Sequence, residues 1–161
     1  MSEEILQLFM SFFISLGFGF LYNLRGKKLI FGALGGALSW TVYLLMDQPG
    51  YSEAFRYFVV SFSLAIYAEV LARMIKTPAT TFLIPSLIPL VPGGSLYHTM
   101  RYGLNKRWYL CTTQAMYTLK LSLALALGIV AVLSVLGVIN VLLNRNWYRK
   151  AVYQRKKEKT P

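Results

Sequence analysis

The chain has 161 residues, of which 56% are hydrophobic, 15% aromatic and 14% charged, and its mean hydropathy is +0.49. A soluble domain carries about 25% charge and at most about half apolar residues, so the composition excludes an ordinary soluble fold and predicts an all-α membrane protein. At about 20 apolar residues per crossing, the length allows roughly five or six spans. The single Cys111 excludes an internal disulfide, and with the lone His98 it leaves too few soft ligands for a zinc or iron–sulfur centre, so no metal and no cofactor are expected. A formal charge of +11 fits either nucleic acid or the one-sided basic loops of a membrane protein, and the position of the charges decides which.

In chain order, residues 5–24 form a run without formal charge, closed by Arg25, Lys27 and Lys28. Glu3 and Glu4 precede the run and the basic cluster follows it, the reverse of a cleavable signal peptide, so it is read as a mature helix. A second span covers 29–46 and stops at the turn-forming Asp47-Gln48-Pro49-Gly50. A third covers 55–75, with Arg56 and Arg73 at its ends and Glu69 inside. A fourth, 79–100, holds Pro85, Pro89, Pro92, Gly93 and Gly94. The last covers 109–143, long enough that it must tilt or protrude, and the basic segment 144–161 follows. Residues 1–143 thus make one transmembrane domain with a tail.

Whether the fourth segment crosses or re-enters is decided by the loop charges. If it crosses, five spans leave 12 Lys and Arg on one side and 4 on the other; if it re-enters, four spans leave 8 on each. One-sided bias is the rule in membranes. Five spans are therefore expected in the plasma membrane, with the N-terminus outside and the basic tail in the cytoplasm against anionic lipid. The charge excess is then topology, and no nucleic-acid partner is expected.

Pro85-Ser86-Leu87-Ile88-Pro89-Leu90-Val91-Pro92-Gly93-Gly94 is the least regular stretch. Each proline removes a donor and crowds the carbonyl four residues back, so a regular helix is not expected to run through it. The break is expected near the middle of the span, at Pro89. Irregular backbone at membrane depth is tolerated where it packs in protein or lines a wet cavity, and transporters place substrate and ion sites there.

Thr77-Pro78-Ala79-Thr80-Thr81-Phe82-Leu83-Ile84-Pro85, followed by Ile88-Pro89-Leu90-Val91-Pro92-Gly93-Gly94, Leu96-Tyr97 and Thr99-Met100, resembles the signature of the threonine/serine exporter family. The chain is similar to the short, membrane-only subunit of the family's split form. Ser86 stands where a glycine is common in that signature, which stiffens the break, and nothing corresponds to the soluble segment of fused members. The resemblance implies proton-driven antiport exporting threonine, serine or another small carboxylate, with a larger subunit of the same family as partner. As the interrupted segment itself, Pro85, Pro89, Pro92, Gly93 and Gly94 are the candidates to bind substrate or gate its path, and Tyr97, which matches the signature, is read equally as a substrate contact or as an interfacial aromatic. A dicarboxylate exporter subunit and a non-transporting scaffold are the alternatives, and self-association of this chain is left open.

Glu69 is the only acid inside a span, where a carboxylate is costly and marks function by default. Arg73 at i+4 offers it a helical ion pair, so proton coupling and simple neutralisation weigh equally. Gly32 and Gly36, with Ala33 and Ala37, give small-residue pairs for close helix packing, and Gly17 and Gly19 are read likewise. Asn23, His98, Gln114, Lys120 and Asn140 are read as loop, interface or interhelical polar groups. No in-span carboxylate pair, histidine cluster, GxSxG or P-loop occurs, so no enzymatic activity and no ATP-driven step are expected from this chain.

Overall fold

The computed structural model describes residues 2–158, with side chains described for 3–139. The basic tail 144–161 and Asn140, singled out in the sequence, therefore lie outside the described side chains. Among the described residues six α-helices follow one another: α1 (Ser2–Leu21), α2 (Lys27–Leu45), α3 (Glu53–Ile75), α4 (Thr80–Leu87), α5 (Gly93–Leu104) and α6 (Trp108–Glu158), with one 3-10 turn at Ile88–Leu90 after α4. The protein is an all-α membrane protein: α1, α2, α3 and the 108–139 part of α6 are each long and apolar enough to cross a bilayer, and Thr80–Leu90 is a shorter apolar helix.

Local chemistry sets the helix ends. Ser52 caps α3, its side chain accepting from Phe55 N, and Glu53 sits in the first turn where the helix dipole favours an acid. At the other end Lys76 turns left-handed at φ 54°, Thr77 N bonds Ala72 O at 3.0 Å, and Pro78 prevents continuation. The α1–α2 turn passes through two positive φ angles, at Asn23 and Gly26.

Small residues bring the helices together. A Cβ on Gly36 would lie 1.8 Å from Ser15 Oγ and 2.9 Å from the Ser11 carbonyl, so α1 and α2 meet at Gly36. A Cβ on Gly128 would lie 2.0 Å from Ser61 Oγ, so α3 and α6 meet there. Gly19 lies against Leu29, whereas Gly17 has nothing within 4 Å. The apolar core is centred on α3, through Val60, Leu64, Ala65, Ala68 and Leu71, and is completed by Phe82, Leu83 and Leu90 from the α4 segment and Val132 from α6.

The order of contacts gives the helix directions. Tyr117 bonds Glu53, Gly128 lies on Ser61, and Val132, Val135 and Leu136 share a cleft with Glu69 and Arg73. Numbering rises together along both helices, so α3 and α6 run parallel. The segment between them carries the chain from the Ile75 end of α3 back to its Glu53 end.

That segment corrects one expectation. The helix does run through Pro85, which lies inside α4, and it continues as a 3-10 turn through Pro89. The break comes later, at extended Val91 (φ −61°, ψ 125°) and Pro92 (φ −73°, ψ 56°). Pro85 lies in the last turn of α4, where its missing donor and its ring concern only the Thr81 carbonyl, and Pro89 stands where a tighter turn has begun. The 79–100 segment is thus two helices rather than one kinked one, and none of the described α5 residues is buried.

Candidate functional site

α4 enters the bundle as a wedge between α2 and α3. Phe82 and Ser86, one turn apart, are both fully buried. The single Ser86 hydroxyl proton is shared between two acceptors, the Phe82 carbonyl of its own helix at 2.7 Å and the Gly32 carbonyl of α2 at 3.0 Å. Gly32 and Gly35 make room for the wedge: a Cβ on Gly32 would meet Pro85 Cγ at 3.3 Å, and one on Gly35 would meet Ser86 Oγ at 2.0 Å and Tyr67 Cε1 at 2.9 Å. Tyr67 from α3 closes the junction by donating its hydroxyl to the Phe31 carbonyl at 2.8 Å. Three helices therefore converge on Pro85 and Ser86.

Beside the wedge, Tyr22, Leu24, Thr80, Thr81, Ile84 and Pro85 line a cleft of about 200 Å³ between the α1–α2 turn and the start of α4. Tyr22, Thr80 and Thr81 bring three hydroxyl-bearing side chains to a small, partly apolar space, which suits a small polar molecule.

The remaining site residues fall elsewhere. Pro89 is half-buried in the 3-10 turn, Pro92 is buried at the start of α5, and Gly93 and Gly94 are exposed with nothing within 4 Å of a built Cβ. Tyr97 is 62% exposed on α5 and packs edge-on to His98. Glu69 lies in a separate cleft of about 280 Å³ between α3 and α6, with Phe62, Ile66, Val70, Arg73, Val132, Val135 and Leu136. Its carboxylate lies 3.8 Å from Arg73 Nε. Glu69 and Pro85 thus line different clefts that share no residue.

At the opposite end of the bundle three side-chain contacts join neighbouring helices. Trp40 Nε1 donates to Gln7 Oε1 between α2 and α1 at 3.2 Å, Arg56 pairs with Asp47 across the α2–α3 turn, and Tyr117 of α6 donates to Glu53 of α3. Trp40 stacks on Tyr43, and Tyr43 meets Tyr57 edge-on. Arg56 is drawn in, its side chain 18% exposed. Sequence reasoning treated Arg56 only as a loop charge and passed over Gly35, Thr80 and Thr81 as individual residues. The hydroxyl pair just before an apolar, proline-bearing run was the available signal.

No curated protein and no solved structure matches the chain. A family model described as Threonine/Serine exporter, ThrE, matches residues 7–135, which takes in most of α1, all of α2 to α5, the α4 cleft, the α3–α6 cleft except Leu136, and most of the apolar part of α6. The chain belongs to the threonine/serine exporter family.

Proposed function

We propose that the chain is the membrane subunit of a secondary transporter that exports small polar carboxylates of the threonine and serine type, coupled to protons and working with a larger subunit. The observation that carries this reading is the α4 wedge, a short helix inserted into the bundle beside a hydroxyl-lined cleft. An inserted helix end beside a cavity is how transporters meet a carboxylate without stranding backbone groups in lipid.

The parallel course of α3 and α6 supports five crossings, because the α4 segment must then return the chain across the membrane. On that topology the N-terminus and the Asp47 turn lie outside, and Arg25, Lys27, Lys28, Arg73 and Lys76 lie at the cytoplasmic end. The α4 cleft opens at that cytoplasmic end, while the three interhelical contacts at Trp40, Arg56 and Tyr117 hold the outer end together. This arrangement suits a protein waiting for cytoplasmic substrate. Glu69 is the candidate proton carrier, held in reserve by Arg73.

Reconstitution of this chain with the larger family subunit, in vesicles preloaded with unlabelled threonine, tests the reading. Counterflow of labelled threonine or serine that requires both chains supports it. The same rate from the larger subunit alone makes this chain an accessory, and labelled succinate run in parallel assigns the substrate class.

A further inference from the structure

The α3–α6 cleft has a composition unlike the α4 cleft. Six of its eight lining residues, Phe62, Ile66, Val70, Val132, Val135 and Leu136, are apolar, and the other two are Glu69 and Arg73. At about 280 Å³ it is large enough for a stretch of hydrocarbon chain. It opens on the outside of the bundle, where Ile66, Val70 and Val135 are 43%, 51% and 57% exposed. Arg73 stands in the last turn of α3, its side chain 54% exposed, against 22% for Glu69. At 3.8 Å the contact between them is at the outer limit of an ion pair, so the guanidinium has donors to spare.

The surrounding charge is mostly basic. Arg25, Lys27, Lys28, Arg73 and Lys76 lie at this end of the bundle, and among the described residues Glu69 is the only acid there. Basic pockets between membrane helices attract anionic lipid head groups. We propose that the α3–α6 cleft binds one anionic phospholipid, with an acyl chain along Phe62, Ile66, Val132 and Val135 and the phosphate on Arg73. The phosphate competes with Glu69 for the guanidinium, so occupancy sets how firmly Glu69 is held. This last consequence rests on the transport reading above, whereas the binding itself does not.

The test is native mass spectrometry of the full chain in detergent, with dioleoyl phosphatidylglycerol and dioleoyl phosphatidylcholine offered at equal concentration. At least fivefold preferential retention of phosphatidylglycerol is expected. Arg73→Gln removes the preference, and Val135→Trp, which fills the cleft from its exposed edge, removes retention of both lipids. Soluble glycerophosphoglycerol does not compete, because the acyl chain is part of the site. Equal retention of the two lipids, retention unchanged by Val135→Trp, or displacement of phosphatidylglycerol by the larger subunit would each overturn the proposal. Because the readout is bound lipid, a failed transport assay leaves it standing. A misfolded Val135→Trp protein is recognised by its melting profile, and Val135→Phe then takes its place with the same expected loss.

Discussion

Ser86 of α4 and Gly32 of α2 are joined by a 3.0 Å hydrogen bond from a fully buried hydroxyl to a backbone carbonyl. The carbonyl belongs to a helix and the hydroxyl also serves Phe82, so the bond adds cohesion without rescuing an orphaned group. Ser86→Ala is expected to cost about 0.5–1.5 kcal/mol, the net worth of an ordinary hydrogen bond. Thermal unfolding in detergent measures it, and an unchanged melting temperature would show that apolar packing alone seats α4.

Gly35→Ala is expected to do more damage, because the added methyl lands 2.0 Å from Ser86 Oγ and 2.9 Å from Tyr67. Overpacking of this kind costs roughly 1–3 kcal/mol. Gly17→Ala is the control: nothing lies within 4 Å of its Cβ, so no loss of stability is expected. Equal effects of the two changes would contradict the seating of α4 against Gly35.

The Asp47–Arg56 pair invites a double-mutant cycle. Arg56 is 18% exposed and Asp47 56% exposed, so solvent screens one partner and the coupling is expected at about 1 kcal/mol or less. Asp47→Asn, Arg56→Gln and the double variant, melted in detergent, give the coupling energy directly. A value indistinguishable from zero would remove Arg56 from the set of contacts holding the Asp47 end together.

Glu69→Gln keeps the shape of the side chain and removes its proton acceptor. On the proposed function, with this chain and the larger family subunit together in vesicles, the variant is expected to reach the membrane in normal amount and to lose more than tenfold of transport driven by a pH gradient, while exchange without a gradient persists. Retained gradient-driven export would leave Glu69 as the ion-pair partner of Arg73 and nothing more.

Much of this was legible in the sequence because the membrane imposes so few solutions. Apolar runs of about 20 residues or more, charge-free for α1 and α2 and carrying only a few charges for α3 and α6, together with the flanking basic residues, were enough to locate these four helices. The family could be read from Thr77 to Met100 because several prolines and glycines at fixed spacing are rare. The position of the break was not legible. Proline removes one donor wherever it stands, but whether the helix stops there depends on the packing around it: α4 carries Pro85 in its last turn, and the chain extends only at Val91 and Pro92. Spacing also selected Gly32 and Gly36 and passed over Gly35, because an i, i+4 pair marks one face and cannot say that two different neighbours use two faces. Gly36 meets Ser15 of α1, while Gly35 meets Ser86 of α4. Pro85 as a substrate or gating residue and Glu69 as a proton carrier or ion-pair partner could both be named from the sequence, but that they line separate clefts follows only from the packing of α6 on α3.

The central claim is that substrate meets this chain in the cleft at the start of α4. In a Cys111→Ser background, Thr80→Cys places one thiol at an exposed position on the cleft wall. Its reaction with a membrane-impermeant maleimide is then followed from each face of vesicles holding both subunits, with and without threonine. Labelling from the cytoplasmic face, slowed at least fivefold by threonine and unaffected by an uncharged, non-substrate polyol, is the expected result. Labelling from the opposite face, or at the same rate with and without threonine, serine or succinate, would contradict the claim.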